Sequence, residues 1–257
     1  FNQLLKLTLI GNFFSLASFG SLGGDAARIV LLNREIPKRK IAIAMAVMMD
    51  HLSGLVAMAL MFFLLTVGRF QELGEQSVLG KGALHFTAVY LGGGMLLFLI
   101  GFVIMSPLVH GRVHRGGRWI RWEFMRALPE AWDRYRRKWK HALAGVGVSC
   151  VMLASYYLTF WAGARAVGCD VSVGTMFAAM PVIDGISTIP VSVSGLGVRE
   201  KLFEVLLADL AGIAGAVAVS ASLAGFFLHV GWSLIGAFLF FRGKGSVTVR
   251  EIRESKV

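Results

Sequence analysis

Long apolar runs separated by short polar or basic stretches make up most of this 257-residue chain. Four runs are long enough to cross a bilayer, because a helix of about 20 apolar residues spans its hydrocarbon core. They cover residues 41–67, 85–105, 142–164 and 215–241, with a polar loop predicted at 69–82. The pattern predicts an all-α, polytopic helical membrane protein with a single transmembrane domain over residues 1–257.

Two other apolar stretches are too broken to cross the membrane as single helices. Residues 4–19 end in a glycine-rich turn, after which Asp25 is the predicted N-cap of a short segment, 26–33. Residues 174–210 are interrupted at Pro181 and again by the small and charged residues of 190–200. Proline ends helices, glycine permits sharp turns, and serine hydroxyls satisfy freed backbone groups. We therefore expect a re-entrant hairpin at 174–210.

The basic residues lie mainly between the apolar runs. The net charge of +11 is concentrated in 34–40, 110–141 and the tail 242–257. Because Lys-rich and Arg-rich loops are retained on the cytoplasmic side, we expect a multi-pass protein of the cell inner membrane with these segments in the cytoplasm. The number of predicted crossings between these cytoplasmic segments then requires residues 174–210 to enter and leave the membrane on the same side. The charge indicates anionic phospholipids as partners, and no nucleic acid.

The basic segment 110–141 also carries four of the six tryptophans. On a helix this spacing gives an aromatic face and a cationic face, which is the composition of a helix lying in the headgroup region. The alternative is a cytoplasmic connector packed on the protein itself. Neither interpretation makes the segment catalytic.

The stretches around 20–28 and 194–199 are alike in kind, since each has a glycine turn with a serine followed by an arginine. Three predicted spans separate them, and an odd number of crossings inverts the second stretch relative to the first. This arrangement predicts an inverted repeat, in which paired broken helices meet near the midplane and their N-termini face an anionic ligand. The alternative is that glycine-rich membrane turns look alike by chance.

At these two stretches the chain resembles a known family. The motifs are Gly23-Gly24-Asp25-Ala26-Ala27-Arg28 and Ser194-Gly195-Leu196-Gly197-Val198-Arg199-Glu200. They are similar to the signatures of the flippase-like family typified by the transmembrane domain of lysylphosphatidylglycerol synthetases, the multiple peptide resistance factors. The resemblance runs from about residue 9 to 241. It departs at Phe19-Gly20, where a proline-glycine pair is commoner, and at His51, where arginine is frequent.

The resemblance implies a stand-alone member, with the family's first spans and its synthetase domain outside this sequence. It therefore implies the lipid-translocating half alone, without lipid synthesis. Our leading hypothesis is a translocase that moves an anionic or aminoacylated phospholipid, or a polyprenyl-phosphate lipid, between leaflets.

Two arginines, Arg28 and Arg199, are the strongest candidates for binding a lipid phosphate, because guanidinium binds phosphate with two hydrogen bonds. The alternative is internal pairing of Arg28 with Asp25, and of Arg199 with Glu200 or Asp184. Asp50 and Asp184 lie within apolar runs, where a carboxylate is paired or protonated. We expect them to pair with those arginines or to bind amine-bearing headgroups; for Asp184, helix capping near Pro181 is another alternative. The remaining predicted substrate-binding residues are Asp25, Glu200, Ser192, Ser194, Gly24 and Gly197.

Enzyme signatures are missing from the sequence. It has no Walker loop, no His-Glu-x-x-His motif and no nucleophile elbow, so we expect a transporter rather than an enzyme, with no cofactor and no metal. Two alternatives stay open. One is an intramembrane transferase for polyprenyl-phosphate sugars, with Asp25, Asp50 or Asp184 as acid or base. The other is a non-catalytic membrane scaffold. Homo-oligomerisation is also open.

Overall fold

The structure is a computed structural model that describes residues 2–17, 21–35, 40–69, 77–104, 139–189 and 192–242. These residues form eight α-helices, and no strand occurs among them, which confirms the predicted all-α class. In chain order the helices are α1 (Asn2–Ala17), α2 (Ser21–Glu35), α3 (Lys40–Met61), α4 (Val78–Ile104), α5 (Trp139–Ala166), α6 (Val173–Ser187), α7 (Val198–Ala211) and α8 (Gly215–Arg242). A π-helical turn at Phe62–Thr66 and a 3-10 turn at Val67–Arg69 extend α3.

Three of the helical stretches are long and apolar enough to cross a membrane: Met45–Thr66, Lys140–Ala166 and Gly215–Arg242. The fourth predicted span falls on α4, whose 27 residues give a length of about 40 Å. The predicted polar loop at 69–82 is wrong at its end, because α4 already begins at Val78. Ser77 explains this start, since its hydroxyl accepts a hydrogen bond from the Gly80 N–H at 2.9 Å and caps the helix.

The other four helices are short and come in two consecutive pairs. The first pair, α1 and α2, has 16 and 15 residues, and the second, α6 and α7, has 15 and 14. At 1.5 Å per residue each is about 21–24 Å long, which is less than the roughly 30 Å hydrocarbon core. The members of each pair pack against each other. We call α1 and α2 the first hairpin and α6 and α7 the second; the motif at 23–28 lies within α2, and the motif at 194–200 leads into α7.

Two local predictions are wrong. Asp25 lies inside α2 rather than at its N-cap, since the helix starts at Ser21 and includes both Gly23 and Gly24. Pro181 lies inside α6, which continues to Ser187 without a break. Packing overrides the local preference here, because Pro181 and most of its neighbours on α6 are buried between α3, α4, α5 and α7.

The main apolar core is formed by α3 to α8. Its largest buried side chains include Phe62, Tyr157, Phe160, Met180 and Phe203, each at most 1% exposed. A second, smaller cluster is formed by Leu7, Ile10 and Leu31 of α1 and α2, with Phe240 of α8 packed against it. The pair α1 and α2 therefore has its own small core, and it packs against α8 and also against α3.

Large apolar side chains also cover the outside of the long helices. On α5 and α8 they include Val148, Val151, Phe227, Trp232 and Phe238, each more than half exposed. Monomeric soluble proteins rarely expose such continuous apolar surface. The arrangement fits helices surrounded by lipid.

Two of the predicted segments lie largely outside the described residues. They are the basic aromatic segment 110–141, of which only residues 139–141 are described, and the tail 242–257, of which only Arg242 is described.

Candidate functional site

The first motif lies on an antiparallel hairpin of α1 and α2 in very close contact. A Cβ added at Gly24 would overlap the Ser15 side chain and the Gly11 carbonyl, and one added at Gly11 would lie 2.5 Å from Arg28 Nε. The contact at Gly24 needs glycine, because the opposing Gly11 carbonyl is backbone and a larger residue would force the two helices apart, whereas a larger residue at Gly11 would displace the Arg28 side chain. The close approach presses the aliphatic part of Arg28 against α1 and fixes the direction of its guanidinium group.

The Arg28 guanidinium joins three helices. Its Nη1 lies 3.3 Å from Asp50 Oδ2 on α3 and 3.7 Å from Asp25 Oδ1 on α2 itself. Its Nη2 donates a hydrogen bond to Asn12 Oδ1 on α1 at 3.4 Å. The interpretation as an internally paired arginine is therefore correct for this conformation.

This cluster is open on one side. His51 completes it, with Nδ1 3.3 Å from Asp25 Oδ2. The side chains of Asp50 and His51 are 68% and 52% exposed, compared with 20% for Arg28. Both lie within a spanning helix, where exposed polar side chains of this kind face water or a bound polar group rather than lipid tails. We call Asn12, Asp25, Arg28, Asp50 and His51 the Arg28 cluster.

The second motif forms the turn between α6 and α7. Three of its residues have positive φ: Ser194 at 52°, Gly195 at 74° and Gly197 at 85°. Gly195 packs on Ser187, and a Cβ there would lie 2.9 Å from that residue's Cβ. Ser194 is the exception among these positions because it has a side chain, and such a conformation persists only where neighbouring contacts hold it.

A hydrogen bond to α1 holds Ser194. Its hydroxyl donates to the carbonyl oxygen of Leu16 at 2.9 Å, across 178 residues of sequence. Leu16 lies near the C-terminal end of α1, one helical turn beyond Asn12 of the Arg28 cluster. The turn of the second hairpin therefore meets the tip of the first, and the two motifs lie on adjoining elements.

Arg199 lies in the first turn of α7 and is 5% exposed. Its Nη2 lies 3.4 Å from Glu200 Oε1, which also accepts a hydrogen bond from the Ser222 hydroxyl of α8 at 3.1 Å. The guanidinium carbon lies 4.5 Å from the ring centre of Phe226 and 5.6 Å from that of Phe160. Aromatic faces attract a cation in this geometry, so α5 and α8 enclose Arg199 on the sides that Glu200 leaves open.

The remaining predicted residues have different surroundings. The N–H of Gly197 already donates to the Glu200 carboxylate, which reaches back to cap the start of α7. Ser192 has a buried hydroxyl that no described group pairs with. Asp184 lies in the last turn of α6 and faces Arg199 without an ion pair or hydrogen bond from its carboxyl group to any described residue. The capping interpretation of Asp184 is wrong, since α6 ends at Ser187.

Both motif arginines keep an unused donor. Arg28 Nε and Arg199 Nε are buried, and neither has a hydrogen-bond partner among the described residues. Buried polar atoms are paired in most proteins. A ligand oxygen that accepted a hydrogen bond from either Nε would therefore supply the partner that these donors lack. In the described part of the chain no group of three or more His, Cys, Asp or Glu residues is placed to hold a metal ion.

Four of the residues that surround Arg28 and Arg199 were not predicted from the sequence. Asn12 and Ser222 appear in sequence as single polar residues within apolar helices, a weak signal that any helix interior can give. Phe160 and Phe226 give no signal, because aromatic residues are common throughout the chain. His51 stood out only as the polar neighbour of Asp50, and its contact with Asp25 requires the fold.

A scan against protein families matches residues 1–236 with the lysylphosphatidylglycerol synthase TM region. Searches of curated proteins and of solved structures found no match to the chain. The family match covers 236 of the 257 residues and agrees with the apolar helices of the structure. This helical membrane protein, whose function is related to membrane lipids, belongs to the lysylphosphatidylglycerol synthase TM region family.

Proposed function

We propose that the protein is a lipid translocase that moves a phosphate-bearing lipid between leaflets, with the headgroup held by the arginines of the two hairpins. The observation that carries the proposal is the contact of Ser194 with Leu16, which brings together two broken-helix elements that each present an arginine. Arg28 is the accessible one in this conformation. Arg199 is enclosed, so the headgroup reaches it only when α7 and α8 rearrange.

The hairpin lengths support a re-entrant arrangement. Helices of about 21–24 Å end inside the hydrocarbon core, where irregular backbone survives only if it is buried in protein or faces a water-filled cavity. Three long helices, α3 to α5, separate the two hairpins, which fits an inverted repeat. Rocking of the two halves about the Ser194 contact would then expose the site to each leaflet in turn, with the basic segments on the cytoplasmic side of the cell inner membrane.

The charges favour a headgroup that carries an amine as well as a phosphate. Arg28 is flanked by the two carboxyl groups of Asp25 and Asp50, and Arg199 faces those of Glu200 and Asp184. An anion alone would gain one guanidinium and meet two carboxylates at each site. A zwitterionic or aminoacylated headgroup pairs its phosphate with the arginine and its ammonium group with a carboxylate.

Lipid transfer in reconstituted vesicles tests this proposal. We expect the protein to move a fluorescent phospholipid across the bilayer, and Arg28→Gln to slow that transfer about tenfold or more, since charge-assisted hydrogen bonds contribute about 1.5–3 kcal/mol. Arg69→Gln is the matched control. Arg69 lies outside both motifs and donates a hydrogen bond to Thr175. Equal rates for the two variants would refute the site assignment.

A transferase acting on polyprenyl-phosphate sugars remains the second candidate because of Asp184. It is the candidate acid or base whose carboxyl group has no partner among the described residues, whereas Asp25 and Asp50 are both paired with Arg28. Purified protein given a labelled sugar donor would form product in this case, and Asp184→Asn would abolish it. Lipid transfer by the wild type with no product formed favours the translocase.

A further inference from the structure

His51 lies at the open side of the Arg28 cluster and touches its central carboxylate. Its Nδ1 is 3.3 Å from Asp25 Oδ2, and Asp25 in turn pairs with Arg28. His51 is half exposed, whereas Arg199 in the other hairpin is enclosed. The His51 ring is therefore not enclosed by the protein in this conformation.

The charged groups around His51 come from two helices. Asp25 and Arg28 face it from α2, and Asp50 precedes it on α3. Among the described residues, α4, α5 and α6, which also pack on α3, contribute no charged group to its surroundings. With neutral imidazole and ionised carboxylates the cluster carries a charge of −1. With protonated imidazole it is neutral, because Asp25 and Asp50 are then matched by Arg28 and His51.

Imidazole is the side chain that changes charge between about pH 5 and 8. We propose that His51 is a protonation switch that sets which headgroup charge the Arg28 cluster accepts. Neutral His51 favours a headgroup with a cationic part, and protonated His51 favours an anionic one. The inference rests on the proposed function, because it concerns regulation of the same headgroup site.

Two lipids whose headgroups keep their charge between pH 5.5 and 8 provide the test: anionic phosphatidylglycerol and zwitterionic phosphatidylcholine. We expect the ratio of their transfer rates to shift about fivefold toward phosphatidylglycerol as the pH falls from 8 to 5.5. This is the order of effect of one unit charge near the headgroup, reduced because half of His51 is exposed.

Two variants fix the charge of position 51. His51→Arg keeps it positive and should hold the low-pH ratio at both pH values, and His51→Gln keeps it neutral and should hold the high-pH ratio. A wild-type ratio that does not change with pH would overturn the proposal whatever the variants do. It would also be overturned if His51→Gln retained the full wild-type pH dependence.

Lipid binding separates this inference from the translocase proposal. The phosphatidylglycerol and phosphatidylcholine retained by the detergent-purified protein can be counted by native mass spectrometry at both pH values. A bound-lipid ratio that follows pH in the wild type, and is fixed in both variants, upholds the switch even if vesicles show no transfer. Transfer that occurs with a pH-independent bound-lipid ratio upholds the translocase and refutes the switch.

Discussion

The closest backbone approach in the main core predicts a large effect from a single methyl group. A Cβ added at Gly163 of α5 would lie 2.6 Å from the Gly225 nitrogen and 2.9 Å from its Cα on α8. Ordinary van der Waals contact begins at 3.4 Å, so Gly163→Ala must separate the two helices by about 0.8 Å. The opposing atoms are backbone and cannot rotate away, which places the effect in the upper part of the roughly 1–3 kcal/mol range for overpacked cores.

Gly147→Ala is the matched control on the same helix, because no described atom lies within 4 Å of a Cβ at that position. Both variants gain the same helix propensity, about 1 kcal/mol, so the difference between them measures the clash alone. At about 2–4 °C per kcal/mol for a chain of this size, a difference of about 2–3 kcal/mol lowers the unfolding temperature of Gly163→Ala by about 4–12 °C relative to the control.

Thermal unfolding in detergent, followed by tryptophan fluorescence, measures this difference. The clash is also next to Phe160, which touches both Gly225 and Arg199, so lipid transfer by Gly163→Ala should fall as well. Unfolding temperatures within 2 °C of each other would refute the close crossing of α5 and α8, and with it the enclosure of Arg199.

Three further predictions follow from single contacts. Ser194→Gly keeps the positive φ but loses the hydrogen bond to α1. The rate of lipid transfer should therefore change, while the unfolding free energy falls by no more than about 1 kcal/mol. An unchanged transfer rate would contradict a role for the contact between the two hairpins. Glu200→Ala leaves a buried arginine unpaired and should cost about 3–5 kcal/mol in unfolding free energy, whereas Glu204→Ala, whose carboxylate pairs with an exposed lysine, should cost under about 0.5 kcal/mol. Burial raises the pKa of the Cys169 thiol, so in a Cys150→Ser background maleimide should label the folded protein at pH 7 far more slowly than the unfolded one.

The helices and their breaks could be predicted from the sequence because each depends on local composition. Apolar runs of more than 20 residues fix the long helices, and the glycines and serines of 194–197 fix the turn before α7. The exceptions show the limit of local reasoning. Pro181 and Gly24 both lie within helices because neighbouring helices pack on them, and no local pattern records that packing.

The site could be predicted only in part for the same reason. The two arginines stood out as charges beside glycines, and the sequence offered Asp25 and Glu200 as their partners, but the contacts that come from other helices could not be predicted. Asp50 reaches Arg28 across 22 residues, Ser222 reaches Glu200 across 22, and Leu16 reaches Ser194 across 178. Such contacts follow from the way the hairpins pack against each other and against α8, which the sequence pattern does not specify.

The central claim is that both arginines act on one headgroup, and the transfer rates of four proteins test it most directly: wild type, Arg28→Gln, Arg199→Gln and the double variant, in the same vesicles. The account predicts that each single variant loses most of the transfer and that the double variant is no slower than the slower single one, because one headgroup cannot pass when either contact is lost. Single variants that each retain most of the activity, with a double variant whose loss is the product of the two, would contradict the shared site.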